Sequence, residues 1–151
     1  MQNYDLLYGQ AEALIDTEPS YVAALSNLSA LIYDSLKDVN WAGFYLMDHG
    51  SLLVGPFQGK PACIRIETGR GVCGAAVLEQ KIQRVADVHK FPGHIACDAA
   101  SRSEIVLPLW HAGSIVGVLD IDSPLPDRFS PEDEEGLARI AALIGERVAF
   151  I

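Results

Sequence analysis

Cys97 and Glu104 are the two residues of this sequence whose types and spacing first suggest chemistry. Cys97 follows a segment, residues 91–96, that has neither helical nor strand periodicity and contains both Pro and Gly, which predicts a loop. Glu104 stands at the start of a predicted strand. A loop thiol close to a carboxyl group is an unusual feature for a domain that is only structural. We therefore expect the rest of the chain to form a scaffold that closes a small pocket around this loop.

A β-hairpin is predicted over residues 103–123, where polar and apolar residues alternate. A two-residue turn would need Ala112 at positive φ, which costs about 1 kcal/mol. A three-residue turn needs positive φ only at Gly113, and we therefore predict the longer turn. One face of the hairpin is then almost wholly apolar, and a slip of one residue would mix the two faces.

The other face of this hairpin brings carboxyl side chains together. In the predicted register Glu104 lies opposite Asp120, and Asp122 lies beside Arg102. Partial burial and mutual repulsion both raise the pKa of such groups, so one of them can stay protonated and act as a general acid. The same acids can instead hold an ammonium group, or lie on a solvated edge without a function. A metal site with His94 as an extra ligand is disfavoured, because no histidine has recognisable ligand spacing.

Three cysteines, Cys63, Cys73 and Cys97, are an odd number and lack CxxC spacing. Cys73 lies in an apolar run that favours simple burial, although a place at a helix start would lower its pKa. Cys63 is predicted on the same side of a short strand as Arg65 and Glu67, where the cation favours the thiolate. Two thiols that are not buried suggest a nucleophile and a resolving partner.

Trp41 and Tyr45 share one side of a strand predicted over residues 41–48. If that side is the carboxyl face, the two rings can form an aromatic wall for a small ligand. An ordinary core or interface pair has the same spacing, so the two interpretations stay open on these residues alone.

The surrounding elements predict an α+β fold. Two helices open the chain, and Ser130 caps a long C-terminal helix with acidic residues in its first turn. Between them lies a central antiparallel sheet, with the N- and C-terminal helices packed on one face and the pocket on the other. Residues 1–151 are expected to form one domain.

Composition excludes several classes of protein. The formal net charge is −9 and the 11 Lys and Arg residues are scattered, which disfavours nucleic-acid binding. No stretch approaches the roughly 20 apolar residues of a membrane helix, and the N-terminus has no signal-peptide pattern. With unpaired cysteines, these features predict a cytoplasmic protein in a reducing compartment.

Several segments together resemble the free methionine-R-sulfoxide reductases, a family of stand-alone GAF-domain enzymes, over nearly the whole chain. The segments are Trp41-Ala42-Gly43-Phe44-Tyr45, Gly71-Val72-Cys73-Gly74, Asp87-Val88-His89, Phe91-Pro92-Gly93-His94-Ile95-Ala96-Cys97-Asp98, Ser101-Arg102-Ser103-Glu104-Ile105-Val106-Leu107-Pro108 and Gly117-Val118-Leu119-Asp120-Ile121-Asp122-Ser123. The resemblance implies a GAF-like fold with a closed ligand pocket.

The resemblance also implies a reaction. Cys97 would attack the sulfoxide sulfur of free L-methionine-(R)-S-oxide, and protonated Glu104 or Asp122 would protonate the oxygen. Methionine would leave and Cys97 would become a sulfenic acid. Cys63 would resolve it as a disulfide, with Cys73 as an alternative or second partner, and thioredoxin would restore the thiols.

Other roles follow from the same resemblance. Trp41 and Tyr45 would pack the S-methyl end of the substrate, while its polar groups would be held by acids and a hydroxyl: Asp120, Asp122, Glu104 and Ser103. No bound cofactor or metal is implied, and a homodimer is expected from GAF relatives. The rival hypotheses are a cyclic-nucleotide sensor module, whose phosphate an acidic pocket would repel, and a thiol peroxidase.

Overall fold

A computed structural model describes residues 2–93 and 100–150, and within these ranges the chain forms four α-helices and a six-stranded antiparallel sheet. The helices are α1 (Tyr4–Thr17), α2 (Tyr21–Ser35), α3 (Gly71–Glu79) and α4 (Pro131–Arg147). The strands are β1 (Trp41–Asp48), β2 (Ser51–Gly59), β3 (Arg65–Glu67), β4 (Gln83–Val85), β5 (Ser103–His111) and β6 (Ser114–Ser123). Their order in the sheet is β3-β2-β1-β6-β5-β4. The prediction of an α+β fold is confirmed.

The sheet separates two apolar cores. The larger core lies between the sheet and helices α1, α2 and α4, and includes the buried Ala42 and Phe44 of β1. The smaller core lies on the opposite face, where α3 packs, and includes Trp41 and Tyr45. Alternate residues of one strand therefore enter different cores, as the period of two predicts.

The turn of the β5–β6 hairpin differs from the prediction. Ala112 and Gly113 form a two-residue turn with φ values of 51° and 83°, and His111 pairs with Ser114. On its own this turn would slip the two strands by one residue and mix their faces. A bulge at Val116 adds the missing residue, so the apolar faces still match. The predicted register is wrong by two residues, while the predicted faces are right.

The segment before α3 is less regular than predicted. The strand expected over residues 62–67 is reduced to β3, so Cys63 lies outside it. Ile64, which directly precedes β3, has 70% of its surface exposed. Ile66 pairs with Leu52 of β2 and is buried. The chain therefore departs from the sheet at Cys63, beside the smaller core.

The two ends of the described chain meet through α1 and α4. Ser130 accepts a hydrogen bond from the backbone N–H of Asp133, whose carboxylate accepts from the backbone of Ser130, which completes a capping box. Asp133 also accepts hydrogen bonds from Tyr4 of α1 and from Arg128. Among the described residues, no helix has both the length and the apolar character needed to cross a membrane.

Candidate active site

The acidic residues meet on the sheet face opposite the large core. Glu104 of β5 pairs with Asp122 of β6, and Asp120 lies opposite Val106. Trp41 of β1 pairs with Asp122 on its other side. The two-residue change in register moves Asp122, rather than Asp120, opposite Glu104. Because a shift of two residues preserves the face, all three acids still face the same way.

A cavity opens on this face, between the sheet, the N-terminal end of α3 and the segment that follows β2. The side chains expected for the pocket from the sequence, Trp41, Tyr45, Glu104, Asp120 and Asp122, all line it. Cys73, which the sequence selected as an alternative resolving cysteine, also lines it. The structure adds residues that the sequence reasoning did not select: Pro61, Ala62, Ile66, Arg70, Gly71, Val72 and Ser101. These additions come from α3, from β3 and from loops, and no periodic pattern predicts where those elements lie relative to the central strands.

The carboxyl groups of Glu104 and Asp120 form a hydrogen bond, which needs a proton on one of them. Burial raises the pKa of Glu104 well above its usual range, and the adjacent carboxyl groups of Asp120 and Asp122 raise it further. Burial also raises the pKa of Asp120, but hydrogen bonds with Glu104 and Cys73 oppose that increase. The contact between the two carboxyls therefore leaves the proton on Glu104, which donates to Asp120. Glu104 is a buried carboxylic acid that keeps its proton more firmly than an exposed glutamate.

Cys73 is a free thiol in this acidic surrounding, and it is only 4% exposed. Burial raises its pKa well above the usual range, and the charges of Asp120 and Glu104 add to the effect. The expectation that the start of a helix would lower this pKa is wrong. Desolvation and three nearby acids outweigh the dipole of α3, which has nine residues.

Cys63 lies at the loop side of the cavity. Cys63 is half-buried and disulfide-bonded. It directly follows Pro61 and Ala62, which form one wall of the cavity. Cys97 and His94, which were predicted as nucleophile and as a possible metal ligand, lie outside the described residues.

Trp41 and Tyr45 form the aromatic wall of the cavity, and Phe57 stacks on Trp41. Trp41 lies between Tyr45 and Phe57, with ring centroids 5.8 Å and 5.0 Å away. The indole N–H of Trp41 donates a hydrogen bond to the carbonyl oxygen of Lys60 at 3.1 Å. Trp41 therefore holds the segment before Cys63 against the aromatic wall of the cavity. Burial, with Asp120 nearby, raises the pKa of Tyr45, which stays a neutral phenol.

Ser103 does not line the cavity, and its predicted role in substrate binding is corrected. Its hydroxyl donates to the carbonyl oxygen of Leu125 at 2.6 Å and accepts from the backbone N–H of Arg128 at 3.2 Å. Strand alternation places it on the face opposite Glu104. Ser101 lines the cavity instead, and the amide of Asn40 contacts its hydroxyl at 3.4 Å.

Ligand atoms of Cys73, Glu104 and Asp120 lie within 4.8 Å of one another, which is close enough to hold a cation. However, the hydrogen bond between the two carboxyl groups needs a proton on one of them, and the thiol is strongly disposed to stay protonated. A cation would have to displace those protons. The arrangement therefore fits a proton-donating pocket better than a resident metal.

Comparison with known proteins agrees with this site. Residues 14–148 match the GAF domain family. The free methionine-R-sulfoxide reductase of Escherichia coli is 57% identical over 137 residues, which are 91% of this chain and 83% of that protein. The chain belongs to the free methionine-R-sulfoxide reductase family of GAF domains. The resemblance identified from the sequence is thus confirmed.

Solved structures of free methionine-R-sulfoxide reductases have the same fold. The structure of fRMsr from Staphylococcus aureus in complex with substrate is 53% identical with a TM-score of 0.91, over 96% of this chain and 95% of that one. The substrate complex of the free methionine-R-sulfoxide reductase from Neisseria meningitidis is 40% identical with a TM-score of 0.91, over 94% and 86% of the two chains.

Proposed function

We propose that this chain reduces free L-methionine-(R)-S-oxide to L-methionine in the cavity described above. The observation that carries the proposal is a cavity lined by Trp41, Tyr45, Asp120 and Glu104, in which burial raises the pKa of Glu104 well above its usual range. A sulfoxide oxygen needs a proton donor when its bond to sulfur breaks, and Glu104 supplies one. The names of the relatives, two of them solved with substrate, support the same reaction.

The substrate has two ends, and the cavity has two matching sides. The S-methyl group packs against the rings of Trp41 and Tyr45, which exclude water from the sulfur. The ammonium group is held by the carboxylates of Asp120 and Asp122, since opposite charges attract strongly where water is scarce. A residue within a peptide chain has no free ammonium group, so this arrangement favours the free amino acid.

In the first chemical step the thiolate of Cys97 attacks the sulfoxide sulfur. A bond forms between the two sulfur atoms, and Glu104 protonates the sulfoxide oxygen. The hydroxyl then transfers to the Cys97 sulfur while its bond to the methionine sulfur and the bond between the two sulfur atoms break, which leaves a sulfenic acid on Cys97. The methionine sulfur is reduced by two electrons and the cysteine sulfur is oxidised by two. L-methionine then leaves the cavity.

In the second step the thiolate of Cys63 attacks the sulfur of the sulfenic acid, the hydroxyl leaves with a proton as water, and a disulfide forms between Cys63 and Cys97. The disulfide-bonded state of Cys63 and the free thiol of Cys73 support this choice of resolving residue. A thioredoxin-type dithiol then reduces the disulfide and is itself oxidised, which returns both cysteines to thiols. The enzyme needs no bound cofactor for these steps.

The test measures NADPH oxidation with the purified chain, thioredoxin, thioredoxin reductase and each epimer of free methionine sulfoxide. We expect turnover of the R epimer only, loss of turnover in Cys97→Ser, and release of no more than one methionine per chain in Cys63→Ser. Undiminished activity of Cys97→Ser would overturn the mechanism. Turnover of hydrogen peroxide without turnover of sulfoxide would show a thiol peroxidase instead.

The expectations of a homodimer, of a cytoplasmic location and of a single domain over residues 1–151 stay predictions. Size-exclusion chromatography with light scattering measures the first of them directly.

A further inference from the structure

Cys73 is the cysteine to which the proposed reaction assigns no step. It is the third residue of α3 and lines the cavity, only 4% exposed. Its Sγ lies within 4.8 Å of carboxyl oxygens of both Glu104 and Asp120. A thiol that is merely a small apolar side chain has no need of two carboxyl neighbours.

Three strands contribute titratable groups around this thiol. Strand β6 contributes Asp120 and Asp122, β5 contributes Glu104, and β1 contributes the phenol of Tyr45. Arg70, which precedes α3, is the cation that lines the cavity among the described residues. The thiol therefore lies among acids, where a negative charge on sulfur is strongly disfavoured.

Asp120 is short of hydrogen-bond donors. It is only 5% exposed, and its Oδ1 atom has no hydrogen-bond partner among the described residues. The carboxyl group of Glu104 and the thiol of Cys73 both have an atom within 4.8 Å of this carboxyl group, and each carries a hydrogen that it can donate. A buried carboxylate without a donor is costly, so each of these two donors matters.

We propose that Cys73 is a positioning residue, which donates its thiol hydrogen to Asp120 and so keeps that carboxylate charged and oriented toward the ammonium group of the substrate. This role rests on the function proposed above and deepens it. It requires a donor at position 73, but no electron transfer. The thiol acts through Asp120 and does not react.

A redox role for Cys73 agrees less well with the structure. Attack on a sulfenic acid needs a thiolate, and the surrounding acids disfavour that form of Cys73. The cysteine that is disulfide-bonded is Cys63, while Cys73 stays free. The donor role needs the protonated thiol, which is the form this site stabilises.

Two variants separate the donor role from the redox role. Cys73→Ala removes the donor, and we expect KM for methionine-(R)-sulfoxide to rise about tenfold, with kcat changed much less. Without this donor the pKa of Asp120 rises, so the pH below which KM increases moves to a higher value. Cys73→Ser retains a donor and should restore KM and this pH profile to near the wild-type values.

A double-mutant cycle tests whether Cys73 acts through Asp120. In an Asp120→Asn background, Cys73→Ala should have little further effect on KM, since the carboxylate it serves is gone. If Cys73→Ala does not fold, Cys73→Ser is used for the test instead. Retained turnover in Cys73→Ser, together with detection of the Cys63 disulfide by mass mapping, supports the donor role. Loss of turnover in Cys73→Ser to the level of Cys63→Ser would overturn it.

Failure of this inference is distinct from failure of the proposed function. If the wild-type chain neither reduces the sulfoxide nor binds L-methionine in calorimetry, the proposed function is wrong. If the wild-type chain does both, and Cys73→Ala has unchanged KM and pH profile, Cys73 is not a positioning residue.

Discussion

Glu104 combines deep burial with contacts to two other acids, and this combination serves reactivity at the expense of stability. In an unfolded chain a glutamate ionises near pH 4.3, whereas burial and its neighbours raise the pKa of Glu104 well above this in the fold. This raised pKa stabilises the fold fully at pH values below the pKa of Glu104 in the unfolded chain. The stabilisation is lost as pH rises through the pKa of Glu104 in the folded chain. The contribution of Glu104 to the free energy of unfolding is thus lowest at high pH, where the other carboxyl groups are ionised.

Replacement of Glu104 by Gln should therefore separate stability from activity. We expect Glu104→Gln to raise the free energy of unfolding at pH 8 by about 1 kcal/mol or more, since each pH unit between the two pKa values is worth about 1.4 kcal/mol. Turnover should fall roughly 10²- to 10⁴-fold, because the proton donor is lost. Urea unfolding at pH 4 and pH 8, together with the pH profile of kcat, measures both effects.

Asp122→Asn is the matched control for this experiment. Asp122 lies opposite Glu104 and lines the same cavity, but it is less buried. We expect Asp122→Asn to raise KM more than it lowers kcat. The opposite pattern, with kcat lost only in Asp122→Asn, would make Asp122 the proton donor.

The turn of the β5–β6 hairpin is a strained element. Ala112 has a φ of 51°, in the left-handed region that favours Gly and Asn. Ala112→Asn creates the Asn-Gly pair preferred in such two-residue turns, and we expect a gain of about 0.5–1 kcal/mol in the free energy of unfolding. The same change at exposed Ala30 in α2 should instead destabilise the protein, by about 0.7 kcal/mol. Thermal denaturation measures the stability of both variants. If the turn were unstrained, both substitutions would lower the melting temperature.

Helix α3 packs closely against the loop that precedes it. A Cβ atom on Gly74 would lie 2.6 Å from the carbonyl oxygen of Glu67 and 2.9 Å from the backbone nitrogen of Gly69. Gly74→Ala should therefore displace α3 and with it Cys73, which costs about 1–3 kcal/mol of stability. We also expect weaker binding of L-methionine, measured by calorimetry.

Gly9 of α1 provides the control, because a Cβ atom there meets no heavy atom within 4 Å. Gly9→Ala should stabilise the protein by about 0.5–1 kcal/mol and leave the affinity for L-methionine unchanged. Equal affinities in Gly74→Ala and Gly9→Ala would show that the packing of α3 does not control the cavity.

At the scale of the whole molecule, one hydrogen-bond network joins the first and last helices. Tyr4 donates to Asp133 at 2.5 Å across 129 positions of sequence. Burial on its own would raise the pKa of Asp133, but hydrogen bonds from Ser130 and Tyr4 and the charge of Arg128 outweigh it and lower the pKa. This lowered pKa stabilises the fold above the unfolded value of about 3.9, and the effect is lost as pH falls through the folded value.

Tyr4→Phe should destabilise the fold by about 1.5–3 kcal/mol at pH 7, the range for a hydrogen bond to a charged group. The difference in the free energy of unfolding between Tyr4→Phe and the wild type should decrease only below about pH 3.9, as Asp133 becomes protonated. Urea unfolding over this pH range measures the effect. Tyr33→Phe, at an exposed tyrosine of α2, is the control and should change little. A difference that does not narrow at any pH below about 3.9 would contradict the role of the Asp133 charge.

The sequence by itself determined which residues share a face. Alternation correctly groups Trp41 with Tyr45 in β1, and the three acids with one another in β5 and β6, because a strand's period of two is local and survives any even change of register. The pairing of β1 with β6 in the fold places both groups on one face. The helix caps and the α+β arrangement were predictable for the same reason. Each depends on neighbours within a few residues.

Only the tertiary structure decided the register and the electrostatics of the cavity. The bulge at Val116 exists because the apolar faces of β5 and β6 must match across a two-residue turn, and that requirement comes from core packing. The pKa of Cys73 rises rather than falls because α3 buries the thiol against acids from strands distant in sequence. Burial and charge are properties of the assembled fold, and no local pattern of residues records them.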